Sequence, residues 1–121
     1  MRRVFLVVLL AGLVFPTGAL AEAVPEVPAK GLVTLVDIGA KACIPCKMML
    51  PVLASTENAY RGRVAVIFID VWEHREQGER FGVRLIPTQI FFDKTGTEVY
   101  RHEGFLDKDA ITAKLDRLLA E

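Results

Sequence analysis

The sequence predicts an α/β domain in which helices flank a mixed β-sheet, with the elements in the order β-α-β-α-β-β-α. Two apolar runs, residues 32–38 and 64–70, have the length and the valine and isoleucine content of buried strands. Apolar residues recur at helical spacing between those runs and again near the C-terminus. A third apolar run, residues 88–92, precedes the turn residues 93–96 and a fourth strand, which indicates a hairpin.

The helical segments follow from the same periodicity. The first helix is expected from Ile44 to about Tyr60, and because Pro51 removes a backbone donor inside it, we expect a kink there. Residues 73–81 are mostly polar and predict a short exposed helix. Asp107 is expected to cap the last helix. The apolar stripe of that helix consists of Ile111, Leu115 and Leu118.

The connections between the strands predict their relative directions. The segments that join the first three strands are long enough to carry helices, which implies parallel strands. The last two strands, residues 88–92 and 98–102, are joined by a tight turn and are expected to pair antiparallel.

The N-terminus has the three parts of a secretory signal peptide. Arg2 and Arg3 form a basic start, residues 4–14 an apolar run, and residues 19–21 a small-residue cleavage site. We therefore expect residues 1–21 to be a cleaved signal peptide. An uncleaved membrane anchor is the alternative, but the apolar run is shorter than the roughly 20 residues that a membrane span needs.

The rest of the chain predicts a short linker and one domain. Residues 22–31 contain Pro25 and Pro28 and no apolar periodicity, which indicates a linker, and residues 32–121 form a domain that we expect to be monomeric. The chain has 15 basic and 15 acidic residues, so its formal net charge is zero. Because nucleic-acid binding needs a basic excess or stripe, no nucleic-acid partner is expected.

The only two cysteines, Cys43 and Cys46, lie between the first predicted strand and the first predicted helix. At a helix N-terminus, unpaired N–H groups and the helix dipole favour an anion, so the thiol of Cys43 should lose its proton readily. Cys46 lies one turn further along and can attack a mixed disulfide formed at Cys43. This spacing beside a βαβ pattern is typical of a dithiol–disulfide switch.

Two other interpretations of the cysteine pair are weaker. A zinc site needs four ligands, and the two histidines, His74 and His102, do not lie at a spacing that pairs with the cysteines. A purely structural disulfide at this separation closes a loop too small to constrain the unfolded chain much. We therefore expect no bound metal and no cofactor beyond the two sulfurs.

Two further residues stand out beside the predicted strands. Pro87 directly precedes an apolar strand although it cannot donate to a strand ladder, which is tolerated at a strand's first residue. Asp37 lies in a central apolar strand, where a charge is costly unless it is paired, so its pKa should rise. Such a carboxyl group can take a proton from Cys46, whereas the alternative is a capping residue at the strand end.

The order and spacing of these motifs resemble those of thioredoxins over essentially all of residues 32–119. The resemblance implies a thioredoxin fold, with a central mixed sheet and helices on both faces. The residues that carry it are 36–47, Pro51, 69–70, 81–83, 86–88 and Gly104.

The resemblance also implies roles for the site residues. Cys43 would be the nucleophile, Cys46 the resolving thiol, and Asp37 the buried carboxylate beneath Cys46. Pro87 would be a cis-proline that faces the cysteines. The substrate-binding residues would be Ile86, Pro87 and Thr88, with an extended substrate segment pairing with the backbone at Ile86.

The chain departs from the usual thioredoxin pattern at several positions. Thioredoxins usually carry aromatic residues where this chain has Gly39 and Ala42, and a lysine where it has Val66. The missing aromatics leave a less crowded rim around Cys43, and the missing lysine removes a charge beside the buried acid. Among the large apolar residues, Trp72 is expected to be a partly buried packing residue, and Met48 and Met49 are expected to fill the core.

These observations predict an exported, periplasmic thiol–disulfide oxidoreductase that reduces disulfides in client proteins. Only Ile44 and Pro45 separate the cysteines, and because no histidine there stabilises the thiolate, a reductant is favoured. The chain has no nucleotide-binding glycine loop, so a membrane electron-transfer protein is expected to supply its electrons. Residues 91–96 and 104–107 are also similar to the C-terminal domain of the transmembrane thiol-disulfide interchange protein, which passes electrons outward across the bacterial inner membrane.

Two alternatives to this function stay open at the level of the sequence. The first is a non-catalytic binding module of the same fold, in which the cysteines are incidental. The second is a dedicated electron donor to the cysteines of apocytochromes in cytochrome c maturation, which shares the chemistry and differs only in its client.

Overall fold

The computed structural model describes Gly18 and residues 22–121, so the predicted signal peptide otherwise lies outside the described residues. Its four strands form one sheet in the spatial order second, first, third, fourth. The strands are β1 (Val33–Gly39), β2 (Val64–Asp70), β3 (Thr88–Phe92) and β4 (Glu98–Glu103). The helices are α1 (Ile44–Ala59), α2 (Arg75–Arg80) and α3 (Lys108–Ala120). The predicted order β-α-β-α-β-β-α and the mixed sheet are confirmed.

The directions of the strands correct one prediction. β1 and β2 are parallel and β3 and β4 antiparallel, as predicted, but β3 runs antiparallel to β1. Ile38 pairs with both Ile69 and Thr88, so β3 starts at the sheet edge where β1 and β2 end. The six residues of α2 span about 9 Å, whereas a seven-residue strand spans about 23 Å. α2 does not carry the chain back along the sheet, so β3 starts near the end of β2 and runs in the reverse direction.

The two faces of the sheet bury separate apolar cores, because successive side chains of a strand point to opposite faces. On β1, Leu35 faces α1 and α3, whereas Val36 and Ile38 face the other side. The first core joins Leu35 to buried residues of α1, β3 and α3, including Met49, Leu53, Phe91, Ile111 and Leu115. The second core includes Val27, Val36, Ile38, Ile69, Ile90 and Phe92.

The residues before β1 contribute to the second core. Val27 is buried against the sheet, its carbonyl oxygen accepts a hydrogen bond of 2.9 Å from Nη2 of Arg80, and the N–H of Ala29 donates to Oγ1 of Thr34. The sequence assigns residues 22–31 to a linker, because their prolines hide any apolar periodicity. The structure shows that part of this segment covers the face that α1 and α3 leave free.

The ends of the long helices follow the expected local chemistry. The carboxylate of Asp107 accepts a hydrogen bond of 2.9 Å from the N–H of Ala110, which confirms it as the N-cap of α3. The predicted apolar stripe of α3 is buried. α1 continues through Pro51 as one helix, and the kink expected there stays a prediction. Within residues 22–121, no helix has both the length and the apolar content needed to cross a bilayer.

The start of α1 packs directly on the end of β1. A Cβ atom built on Gly39 would lie 3.1 Å from Sγ of Cys46 and 3.4 Å from the ring of Phe68. The first of these separations is tighter than ordinary van der Waals contact, so a side chain at position 39 would require Cys46 to shift. The glycine therefore allows the side chain of Cys46 to pack directly against β1.

We predict that Gly39→Ala lowers the free energy of unfolding of the oxidised protein by about 1–3 kcal/mol, the usual cost of overpacking a filled core. The sulfur of Cys46 is bonded to Cys43 and cannot move aside freely. Urea unfolding measures the effect. Gly78→Ala is the matched control, because its new methyl group meets Val71 only at 3.7 Å and alanine favours the helix. A Gly39→Ala protein as stable as the Gly78→Ala protein would contradict the prediction.

Candidate active site

Cys43 is the N-cap residue of α1 and forms a disulfide with Cys46, the Cα atoms lying 5.2 Å apart. The backbone of Cys43 is extended, and its carbonyl oxygen accepts a hydrogen bond from the N–H of Lys47. Pro45 in the first turn has no N–H group, which costs nothing there because that group would be unpaired anyway. No acidic residue lies in the first turn, so the positive end of the helix dipole at Cys43 is not neutralised.

The two sulfur-bearing residues differ in exposure. Cys46, in the first turn of α1, is fully buried, whereas Cys43 is only partly buried. The residues between them are exposed, and 69% of the surface of Ile44 is accessible. A protein that approaches this end of the domain therefore meets Cys43 and not Cys46.

Asp37 lies in β1, two residues before Gly39 and therefore on the same face of the sheet as the Cys46 sulfur. It is fully buried. Burial raises the pKa of Asp37 from 3.8 to about 6, and a hydrogen bond from Gln89 partly opposes that rise. The pKa of Asp37 is thus raised, as predicted, and the main cause is desolvation of the carboxylate.

Gln89 is a site residue that the sequence interpretation missed. It lies opposite Asp37 in the β1–β3 pairing, and its Nε2 donates a hydrogen bond of 2.7 Å to Oδ1 of Asp37. Both side chains are fully buried. The available signal was a polar residue inside the otherwise apolar run of β3, because a buried amide needs a partner.

The loop before β3 holds the predicted substrate-binding residues beside the cysteines. Because Thr88 pairs with Ile38, Pro87 lies next to Gly39, on which Cys46 packs. The Ile86–Pro87 peptide bond is cis. The N–H of Gly104 donates to the carbonyl oxygen of Pro87 at 2.7 Å, and the hydroxyl group of Thr88 donates to the carbonyl oxygen of Leu85.

Ile86 differs from its neighbours in this loop. Among residues 22–121, no backbone hydrogen bond involves the N–H or the carbonyl oxygen of Ile86 outside the regular elements, and Ile86 belongs to no element. The side chain is partly exposed. The backbone of this residue is therefore available to pair with an extended segment of another protein.

A second buried carboxylate, Asp70 at the end of β2, braces the loop before Cys43. Its Oδ2 accepts from the N–H of Lys41 at 2.9 Å, and its Oδ1 accepts from the N–H groups of Trp72 and Glu73. Burial acts to raise the pKa of Asp70, but these hydrogen bonds outweigh it and hold the pKa below 3.8. Asp70 thus links the loop before Cys43 to the segment after β2 by hydrogen bonds.

Two apolar side chains near the site correct the packing prediction. Met49 is fully buried, as predicted, but 54% of the surface of Met48 and 59% of that of Trp72 are exposed. Met48 directly precedes Met49 on a helix that buries one stripe only, and Trp72 lies on the exposed turn that Asp70 holds. Helical spacing alone could not tell which of two adjacent methionines faces the core.

No group of three or more His, Cys, Asp or Glu side chains within residues 22–121 is arranged to hold a metal ion. His102 lies on β4 with its Nε2 atom 3.1 Å from the carbonyl oxygen of Phe105, and His74 precedes α2. The structure thus joins Cys43 to Cys46 and places Asp37 and Pro87 at the same end of β1.

Comparisons with known proteins agree with this geometry. The thioredoxin family model matches residues 21–117. The chain is 45% identical to a thioredoxin of Chlamydia caviae over 83 residues, which cover 69% of this chain and 78% of that protein. It is 39% identical to a thioredoxin of Staphylococcus haemolyticus over 87 residues, covering 72% of this chain and 83% of that one.

Solved structures give the same result. The fold superposes on chloroplastic thioredoxin z with a TM-score of 0.69 and 27% identity, covering 75% of this chain and 81% of that chain. The family match, the mixed sheet and the Cys43–Cys46 pair at the start of α1 agree with one another. The chain therefore belongs to the thioredoxin family and is a thiol–disulfide oxidoreductase.

Proposed function

We propose that this oxidoreductase is an exported reductant that opens disulfides in client proteins by cycling the Cys43–Cys46 pair between dithiol and disulfide. The observation that carries the proposal is the unequal exposure of the two cysteines. Cys43 is accessible at the N-terminus of α1, whereas Cys46 is buried against the face of the sheet that also bears Asp37. This arrangement suits attack on a client by the first sulfur and release of the client by the second.

The first step is attack on a client disulfide by the Cys43 thiolate. The thiolate forms a new S–S bond to one client sulfur, and the second client sulfur leaves as a thiolate that takes a proton from water. The unneutralised helix N-terminus favours the thiolate form of Cys43 before the attack. The product is a mixed disulfide between Cys43 and the client.

The second step releases the client. Asp37, as a carboxylate, accepts the proton of the Cys46 thiol, directly or through one water molecule, and the Cys46 thiolate attacks Sγ of Cys43. The Cys43–client bond breaks, and the client sulfur leaves as a thiolate that is then protonated. The client disulfide has gained two electrons, and the Cys43–Cys46 pair has lost them.

The client segment is expected to bind in an extended conformation along the loop that precedes β3. The unpaired backbone of Ile86 offers one donor and one acceptor, and Pro87 places that backbone beside the cysteine pair. Main-chain pairing of this kind selects for an extended segment and only weakly for its sequence, so the exposed side chains around Cys43 set the choice of client.

The residues between the cysteines support the direction of electron flow. Ile44 and Pro45 carry no charge and no hydrogen-bond donor on their side chains, so they give the Cys43 thiolate no further stabilisation. A less stabilised thiolate makes the couple less oxidising. The electrons are proposed to come from the dithiol of a membrane electron-transfer protein, since the sequence has no glycine-rich nucleotide loop.

The proposal of export rests on the N-terminal residues of the sequence. The basic start, the apolar run and the small residues before Glu22 form the pattern of a secretory signal peptide. The expected compartment is the periplasm, and the mature protein is proposed to act as a monomer.

A redox titration against glutathione buffers tests the proposed direction. We predict a reduction potential near the thioredoxin value of about −270 mV, because nothing between the cysteines stabilises the thiolate. The Pro45→His variant is the matched comparison, since it adds a histidine between the two cysteines, and its potential should be less negative. A parental potential near about −120 mV, typical of strong oxidants, would contradict the proposal.

The raised pKa of Asp37 predicts how stability depends on pH. Between pH 3.8 and about 6, the native state keeps a proton on Asp37 that the unfolded chain has released. Protonation of Asp37 therefore contributes to the free energy of unfolding. This contribution is fully present below pH 3.8 and is lost as the pH rises through about 6, which lowers the free energy of unfolding by about 3 kcal/mol. Asp37→Asn removes that loss, so the variant should be more stable than the parent at pH 8 and equally stable near pH 4.

Urea unfolding of the oxidised parent and of oxidised Asp37→Asn, from about pH 4 to about pH 8, measures how the difference in their stability depends on pH. Asp70→Asn is the control of opposite sign, because hydrogen bonds lower the pKa of Asp70 and its loss should destabilise the protein at neutral pH. Parallel pH profiles for the parent and Asp37→Asn would refute the assignment of the raised pKa to Asp37.

A further inference from the structure

Within the described residues, one carboxyl oxygen of Asp37 accepts a hydrogen bond and the other accepts none. Oδ1 accepts the hydrogen bond from Gln89, whereas Oδ2 is buried without a hydrogen-bond partner in residues 22–121. Oε1 of Gln89 is likewise buried and unpartnered there. A carboxyl group could rotate about its terminal bond, but the amide holds one of its oxygens in place.

Among residues 22–121, Gln89 is the only side chain that hydrogen-bonds to Asp37. The strand pairings place Phe68 of β2 on one side and Gln89 on the other, with His102 of β4 beyond Gln89. α1 contributes Cys46, and the buried residues of α3 are all apolar. Where thioredoxins usually carry a lysine near the acid, this chain has Val66, and within the described residues the Gln89 hydrogen bond is what lowers the pKa of Asp37.

We propose that Gln89 is a positioning residue for disulfide reduction: its amide holds Oδ1 of Asp37, so that Oδ2 is the oxygen that accepts the Cys46 proton. The proposal deepens the proposed function and rests on it for the role of Asp37 in the release step. Gln89 itself touches neither the client nor the sulfurs in this mechanism.

The hydrogen bond also keeps the carboxyl group usable near neutral pH. A donor to the carboxylate favours the charged form, and burial disfavours it. Without the Gln89 donor, burial alone would act, and the pKa of Asp37 would rise further. A larger share of the protein would then hold Asp37 already protonated at pH 7, where it could not accept the proton of Cys46.

The test is a titration of the Asp37 carboxyl carbon by NMR in the reduced protein. Gln89→Met keeps the length of the side chain and removes the donor, so the midpoint should rise by at least about one pH unit. Reading the carboxyl carbon of Asp37 itself assigns the midpoint to that group. Reduction of a client disulfide by Gln89→Met should fall about two-fold or more at about pH 7 and recover towards the parental rate at about pH 9, where Asp37 of the variant is again deprotonated.

Ile90→Val is the matched control, because it trims the neighbouring residue of β3 on the opposite face. Its midpoint and its pH profile should be those of the parent. An unchanged midpoint in Gln89→Met, or an equal displacement in Ile90→Val, overturns the proposal.

If Gln89→Met does not fold, a second variant, Gln89→Glu, tests the same proposal. Gln89→Glu keeps the size of the side chain and places a second carboxyl group beside Asp37, so the pair should titrate in two steps, the upper one above the parental midpoint. A single step at the parental midpoint overturns the proposal. The titration needs no client, so a parent that fails to reduce disulfides would refute the proposed function and leave the positioning role separately measured.

Discussion

The contact between the first turn of α1 and the end of β1 is the constraint on which the rest of the site depends. Because Gly39 has no side chain, the sulfur of Cys46 lies against the sheet and is shielded from solvent. The same contact leaves Cys43 at the helix N-terminus, partly exposed. One packing interaction therefore makes the sulfur of Cys43 accessible to a client and keeps the sulfur of Cys46 inaccessible to it.

That packing also decides what kind of proton acceptor the site needs. The Cys46 thiol, on the buried face of α1, has no direct access to bulk water, so its proton must go to a group within the protein or to an enclosed water molecule. Asp37 lies on the same face, and its burial raises its pKa towards the range where it can exchange protons near neutrality. The amide of Gln89 limits that rise, and Asp70 holds the neighbouring loop by accepting three backbone hydrogen bonds.

Much of this arrangement could be predicted from the sequence, because strand, helix and cysteine spacing are local patterns. The buried strands, the cap at Asp107 and the place of Cys43 needed only periodicity and helix-end chemistry. The direction of β3 could not be predicted from connection length, since it depends on how far the short α2 carries the chain. The contacts of Gln89 and Asp70 are long-range in sequence, and Trp72 and Met48 could be placed only once the packed face was known.

The central claim is that the fold makes the two sulfurs unequal, and selective alkylation measures this most directly. The reduced protein is treated at neutral pH with a limiting amount of iodoacetamide, and mass spectrometry then locates the label. The account predicts that Cys43 carries nearly all of the label, and that Cys46 reacts only after urea unfolds the domain. Equal labelling of both cysteines in the folded protein, or preferential labelling of Cys46, would contradict it.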